Sequence, residues 1–187
     1  MTSNEKFRAY ARSFVITPET EPEFFSHVRD IYDCPEWRGM DVYIQHADIT
    51  RCQHIMSVAY TSFLTAQSMG ANIRDTVRGA MLHDLFYYDW HTRGDGTHRL
   101  HGYRHPGFAL KNARELFELN EVQEDIIHRH MWPLTVVPPK YKESYIVTFW
   151  DKYCATQEII IKKSPAYRAK FEEAQRSESN LYDGLHT

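Results

Sequence analysis

His83 and Asp84 lie side by side in the apolar stretch Arg78-Gly-Ala-Met-Leu-His-Asp-Leu-Phe-Tyr87. Two polar ligand groups stand there where a helical core would take leucine. A buried carboxylate and imidazole are costly unless something compensates them, and a metal ion does so directly by accepting the imidazole lone pair and neutralising the carboxylate. Any fold this chain adopts must therefore bring partners to this pair.

The surrounding pattern is helical. Phe24, Phe25, Val28 and Ile31 recur at helical spacing, and Cys52, Ile55, Ala59, Phe63 and Ala66 form a second stripe that Gly70 ends. Asp48 or Thr50 is placed to cap that second helix, with His54 beside its stripe, and Asn72 or Asp75 opens the next, whose apolar face runs through Val77, Ala80 and Met81. His83 and Asp84 fall in its second half, about 100° apart around the axis, so they can straddle one face. His105-Pro106 reads as the entrance to a further helix with Phe108, Ala109, Ala113, Leu116 and Phe117 inward. Val122, Ile126 and Ile127 follow, with His130 one turn beyond Ile126. Tyr145, Ile146, Phe149, Tyr153 and Ile160 mark a long helix that carries Asp151 among large apolar neighbours, and an amphipathic helix follows Ser164. The expected fold is all-α, a single-domain helical bundle over 21–187, preceded by a polar, aperiodic segment, 1–20. The stretch 34–50 is a connection without clear periodicity. The glycine-rich stretch 88–103 is expected to be a long loop over the site, with Arg93, Arg99 and Arg104 placed to meet an anion.

Composition narrows the function. With 187 residues, one core forms without staples, so a metal would be functional rather than structural. Lys plus Arg total 22 against 25 for Asp plus Glu, a net charge of −3, which supplies no cationic field for nucleic acid or anionic lipid. Cys34, Cys52 and Cys154 are scattered and odd in number, which points to a reducing compartment, and the N-terminus lacks a signal-like apolar run; the expectation is a cytoplasmic protein. Eleven histidines are present, and seven of them (83, 91, 98, 101, 105, 128 and 130) fall between Met81 and Met131. His91, His98 and His101 read as solvated loop residues and His128 as a solvent-facing one. The composition permits a homodimer without requiring it.

What remains is an ordered set: His54, His83, Asp84, His105, His130 and Asp151. Their contexts are Arg51-x-x-His54-x-x-x-Val58, Leu82-His83-Asp84, His105-Pro-x-x-Ala109, Ile127-x-x-His130 and Asp151-Lys152. This order, over roughly 45–160, resembles the HD-domain superfamily of metal-dependent phosphohydrolases, in particular its two-metal branch, which includes bacterial dinucleoside tetraphosphate hydrolases and cyclic dinucleotide phosphodiesterases. The resemblance implies that His54, His83, Asp84 and Asp151 hold one metal and that Asp84 bridges to a second on His105 and His130. It makes His83 and Asp84 the catalytic pair and a small phosphorylated compound, a nucleotide first, the substrate.

Such a site takes one or two divalent transition-metal ions. Nitrogen-rich ligands favour iron or manganese here, with cobalt, nickel or zinc also suited and magnesium less so. Two such ions about 3.5–4 Å apart activate a water for attack on phosphorus.

One position departs from the pattern. Many family members carry Lys or Glu four residues after the His of the His-Asp pair, where this chain has Tyr87. Its phosphate-contacting role is then either supplied by Arg104, Arg129, Lys152 or a loop arginine, or missing; the Tyr87 phenol can donate a hydrogen bond to substrate but carries no positive charge. The departure keeps open a di-iron oxygenase of the same fold and a non-catalytic metal or nucleotide sensor. The role of His46 is open.

Overall fold

A computed structural model describes residues 1–91 and 100–183. Among them the helices are α1 (Ser3–Arg12), α2 (Pro22–Tyr32), α3 (Pro35–Arg38), α4 (Arg51–Met69), α5 (Ile73–Leu82), α6 (His101–Leu116), α7 (Glu121–Arg129), α8 (Lys142–Lys163) and α9 (Pro165–Asp183). A 3₁₀ turn (Gly39–Val42) and a small antiparallel hairpin, β1 (Ile44–His46) with β2 (Ile49–Thr50), connect α3 to α4. The chain is an all-α, single-domain helical bundle, as its periodicity predicts. No helix among the described residues is long and apolar enough to cross a membrane.

Helix α4 is the central element, packed against α5, α8 and α1. Thr50 starts it with a reciprocal cap: its hydroxyl accepts from the Gln53 amide at 3.2 Å, and the Gln53 side chain accepts from the Thr50 amide at 2.9 Å. Gly70 ends it in the left-handed conformation, φ 58°, which glycine adopts without steric cost. Between these caps Ile55, Val58, Ala59, Tyr60, Phe63 and Ala66 are buried.

Helices α5 and α7 run side by side in the same direction, joined at three levels. At their N-terminal ends the Asp75 carboxylate accepts from Asn120 Nδ2 at 2.7 Å and Gln123 Nε2 at 2.8 Å. One turn further along α5, Gly79 lies so close to Ile126 that a β-carbon there would stand 2.6 Å from Ile126 Cδ1 and 2.8 Å from its Cβ. One turn further again, the His83 and His130 rings meet edge to face at 4.9 Å. The spacings 75-79-83 and 123-126-130 each advance by whole turns. The packing that joins the helices thus delivers both histidines to one point.

Three expectations are corrected. The segment 1–20 is not aperiodic: α1 is capped by Thr2 and Glu5, and Phe7, Tyr10 and Ala11 are buried. Tyr10 and Phe14 pack against Phe171 of α9, with ring centroids 5.4 and 5.2 Å apart, so α1 belongs to the bundle and no boundary falls at residue 20. The apolar residues at 7, 10, 11 and 14 carry helical spacing, but the charges between them dilute it. Second, α6 begins at His101, one turn before the His105-Pro106 entrance expected from proline, and Pro106 lies inside it. Third, α5 ends at Leu82, so His83 is its C-cap and Asp84 lies beyond the helix rather than on its face. The closing carbonyls of a helix lack intrahelical partners. The His83 ring takes one of them, donating from Nδ1 to the Ala80 carbonyl at 2.7 Å.

Candidate metal centre

Five helices contribute the six residues. His54 sits in the first turn of α4, His83 and Asp84 at the end of α5, His105 in the second turn of α6, His130 at the C-cap of α7, and Asp151 in the middle of α8. All six are buried. They form two triads, His54–His83–Asp151 and Asp84–His105–His130, in each of which the ligand atoms lie within 4.8 Å of one another.

Hydrogen bonds on the far side of each ring decide what the rings present inward. His83 Nδ1 lies 2.7 Å from the Ala80 carbonyl, His105 Nδ1 2.9 Å from that of His101, and His130 Nδ1 2.8 Å from that of Ile127. A carbonyl only accepts, so each Nδ1 carries the hydrogen and each neutral ring points a bare Nε2 lone pair inward. His54 follows the same rule with a carboxylate, its Nδ1 lying 2.9 and 3.1 Å from the two Glu158 oxygens. These are the tautomers of metal-ligating imidazoles whose other nitrogen is fixed by an acceptor.

Around His83, His105 and His130 the inward atoms lack partners of opposite character, while His54 Nε2 has Asp151 beside it. His105 Nε2 and His130 Nε2 stand 2.8 Å apart, and Asp84 Oδ1 lies 3.2 and 3.6 Å from them. His54 Nε2 is 3.2 Å from Asp151 Oδ1, and His83 Nε2 is 3.6 Å from Asp84 Oδ2 and 3.8 Å from Asp151 Oδ1. His83 Nε2 and Asp84 Oδ1 are buried without a hydrogen-bond partner among the described residues. Lone pairs facing lone pairs repel unless a cation or a proton stands between them. Ligands about 2.0–2.2 Å from a common ion sit roughly 3–3.5 Å apart, close to the separations here, so the donor set fits a metal ion. His83 and Asp84 together place the two triads edge to edge.

The charges respond to this crowding. Burial pushes the Asp84 carboxyl up, but His83 and His105 outweigh it and hold it well below the usual range. Burial likewise opposes ionisation of Asp151, where Lys152 and His54 more than offset it. Burial, reinforced by His105 and His83, drives His130 well down. His54 is the exception: burial disfavours its charge, yet Glu158 and Asp151 on either side lift it well above the ordinary value.

A second layer, absent from the sequence reading, orients the first. Gln45 on β1 donates from Nε2 to Asp84 Oδ2 at 2.6 Å, so Asp84 keeps Oδ1 for His105 and His130. Gln45 is held by Arg51 Nε at 3.0 Å, and the fully buried Arg51 guanidinium donates to the carbonyls of Phe86 at 2.6 Å and Tyr88 at 3.0 Å while lying 3.6 Å over the Phe86 ring. Glu158 had a legible signal, falling seven residues after Asp151 on the same face of α8. Gln45 had none, because the hairpin alone brings it to Asp84.

The substrate-contact candidates separate. Lys152 reaches the centre, its Nζ 2.6 Å from Asp151 Oδ2 and 2.8 Å from the His130 carbonyl. Arg129 instead pairs along α7 with Asp125, Nε to Oδ1 3.4 Å, and Arg104 is exposed with its guanidinium 5.5 Å over Phe108. Tyr87 is corrected: it is 41% exposed, and the titratable groups acting on its phenol are Cys34, Glu36 and Glu115, with no member of either triad among them; burial and these groups raise it to about 12. His101 is corrected in the other direction. It stacks between Trp90 (5.2 Å, 6°) and His105 (4.5 Å, 19°), and its Nδ1 lies 3.1 Å from the Tyr88 hydroxyl. His46 joins the same wall, 5.8 Å from both the His54 and Trp90 rings. His128 is exposed, as expected. Arg93, Arg99 and His98 lie outside the described residues.

Comparison of the chain with protein-family models, with curated proteins and with solved structures finds no match.

Proposed function

We propose that this chain is a metal-dependent phosphohydrolase acting on a small phosphate ester or anhydride, a nucleotide first, with a centre of the HD-domain kind. One observation carries the reading: His83, His105 and His130, each with its Nδ1 hydrogen fixed on a backbone carbonyl, aim Nε2 lone pairs at a space shared with Asp84 and Asp151, and His54, held at Nδ1 by Glu158, turns its Nε2 to the same space. The chain order of these six residues, which resembles that superfamily, supports it.

In this reading His54, His83 and Asp151 hold one divalent ion, and Asp84, His105 and His130 hold a second. When bound, such ions lower the pKa of a coordinated water and neutralise phosphoryl oxygens. The chain's own groups supply orientation and charge. Gln45 fixes the rotation of Asp84, and Lys152 engages Asp151 Oδ2 while leaving Oδ1 towards His54. The Lys152 ammonium, its side chain 41% exposed, is a cation beside the centre that a phosphoryl oxygen would reach only by displacing part of its contact with Asp151 and the His130 carbonyl. Trp90, His101 and His46 form an aromatic wall beside the centre, with His46 edge-on to Trp90.

The test is phosphate release from mononucleotides, dinucleoside polyphosphates, cyclic dinucleotides and sugar phosphates by protein reloaded anaerobically with iron or manganese, with Asp84→Ala alongside. Release from one class that vanishes in the variant is expected. Silence across the panel from metallated protein contradicts the reading.

A second reading, a di-iron oxygenase, draws on a separate observation: Tyr87 is 41% exposed and Arg129 pairs with Asp125, so two expected phosphate contacts are engaged elsewhere than at the centre. Substrate-dependent oxygen consumption by the iron-loaded protein without phosphate release selects it.

A further inference from the structure

The four histidines are held alike except for one. His83, His105 and His130 each give their Nδ1 hydrogen to a neutral backbone carbonyl. His54 gives its hydrogen to the Glu158 carboxylate, with both oxygens on the ring nitrogen at 2.9 and 3.1 Å. Glu158 is fully enclosed, 0% exposed. It lies two turns of α8 beyond Asp151, and the two carboxylates reach opposite edges of one imidazole, Asp151 on Nε2 at 3.2 Å and Glu158 on Nδ1.

The hydrolytic reading has no use for Glu158. An enclosed carboxylate is costly unless a cation balances it. Among the described residues its ion pair is with His54. Lys152 is committed to Asp151. That ion pair places the balancing charge on the His54 ring, and a metal cation on Nε2 would take its place.

Taking the triads as metal positions, and so resting on that part of the reading above, we propose that Glu158 is a positioning residue that makes His54–His83–Asp151 the tighter position, filled first by a divalent cation. Two physical effects act in the same direction. An imidazole that donates to a carboxylate is a stronger electron-pair donor than one that donates to an amide carbonyl. The local charge also differs. Two carboxyl groups, Asp151 and Glu158, flank His54 with Lys152 on the first, whereas Asp84 alone serves the second triad with Arg51 standing behind Gln45; burial pushes the Glu158 carboxyl up and the His54 ring opposes that. In a dry interior that difference is weakly screened.

The test is titration of the full-length, metal-free protein with Mn²⁺ in competition with a chromophoric chelator. Wild type is expected to show two classes of site. Glu158→Gln keeps the side-chain length and an acceptor oxygen for the His54 hydrogen but removes the charge. It should weaken the tighter class by about 10–100-fold and leave the weaker class unchanged. An unchanged tighter class, or equal losses in both, overturns the proposal. A measurement on wild type alone guards against a variant that fails to fold: anomalous scattering from crystals holding one equivalent of Mn²⁺ should centre on His54, His83 and Asp151, and density on Asp84, His105 and His130 instead overturns it. Wild type that takes up no metal refutes the metal reading itself and the proposal with it, a failure distinct from the other two.

Discussion

His105 Nε2 and His130 Nε2 stand 2.8 Å apart although each ring's hydrogen is held on its other nitrogen by a backbone carbonyl. Two neutral imidazoles cannot satisfy each other in that arrangement. A cation between them converts the repulsion into two bonds, so the native state should bind metal far better than the unfolded chain does.

Metal should therefore raise thermal stability. At a free concentration about 100 times the dissociation constant, the linkage is worth about 2.7 kcal/mol. For a chain of this size that is roughly 5–10 °C in Tm. His105→Ala removes one of the opposed lone pairs and should shrink the shift. Calorimetry of apo and Mn²⁺-loaded protein checks this; equal melting temperatures at saturating metal contradict it.

Gly79 is the second target, because a β-carbon there meets Ile126 at 2.6–2.8 Å. Gly79→Ala should cost about 1–3 kcal/mol by overpacking. It should also weaken metal binding, since α5 and α7 must separate where they deliver His83 and His130. Gly107 in α6 has nothing within 4 Å of the same added atom, so Gly107→Ala should be neutral or stabilise by up to about 1 kcal/mol. Urea denaturation of the two variants distinguishes a packing effect from helix propensity. A Gly79→Ala protein as stable as wild type would place α7 farther from α5 than it stands here.

The Arg51–Gln45–Asp84 chain predicts two different losses. Arg51→Met strips donors from the Phe86 and Tyr88 carbonyls and should cost about 2–6 kcal/mol, from unsatisfied acceptors at about 1–3 kcal/mol each. Gln45→Leu frees Asp84 Oδ2 and the Arg51 Nε hydrogen and should lower metal affinity about tenfold or more with a smaller loss of stability. Denaturation and chelator competition on both variants test the order. Equal destabilisation by the two substitutions contradicts it.

His46 sets a pH dependence in the metal-free protein. Burial, then the neighbouring His54, pushes its pKa from 6.5 down to about 4, so the folded state keeps it neutral where the unfolded chain takes up a proton. Its contribution to stability is complete above pH 6.5 and is lost progressively as pH falls towards 4. His46→Asn should flatten the stability–pH curve across that window by up to one proton's slope. Denaturant melts at pH 7, 6 and 5 with chelator present measure this, and parallel curves for wild type and variant contradict it.

The sequence was most legible where apolar spacing and end signals agree. The α4 stripe, its Thr50 start and Gly70 stop, and the one-turn step from Ile126 to His130 are all local patterns. The Asp151 side chain could be named as a ligand candidate but not placed, because a carboxylate on a mostly apolar helix looks the same whether it faces inward or outward. Helix α1 was lost among charges. His83 and Asp84 were expected on a helical face, yet the His83 ring competes for the Ala80 carbonyl and the helix stops. Tyr87 turns outward after that stop, which residue spacing cannot reveal. Gln45 was invisible because its contact with Asp84 spans 39 residues and depends on the hairpin.

The central claim is that four imidazoles and two carboxylates form a metal centre, and metal stoichiometry tests it most directly. Wild-type protein reloaded with iron or manganese, freed of loose metal and analysed by mass spectrometry, should carry two ions per chain, with the content falling sharply in a folded His83→Ala variant. Less than one ion per chain in the wild type, or a content that His83→Ala leaves unchanged, would contradict the account.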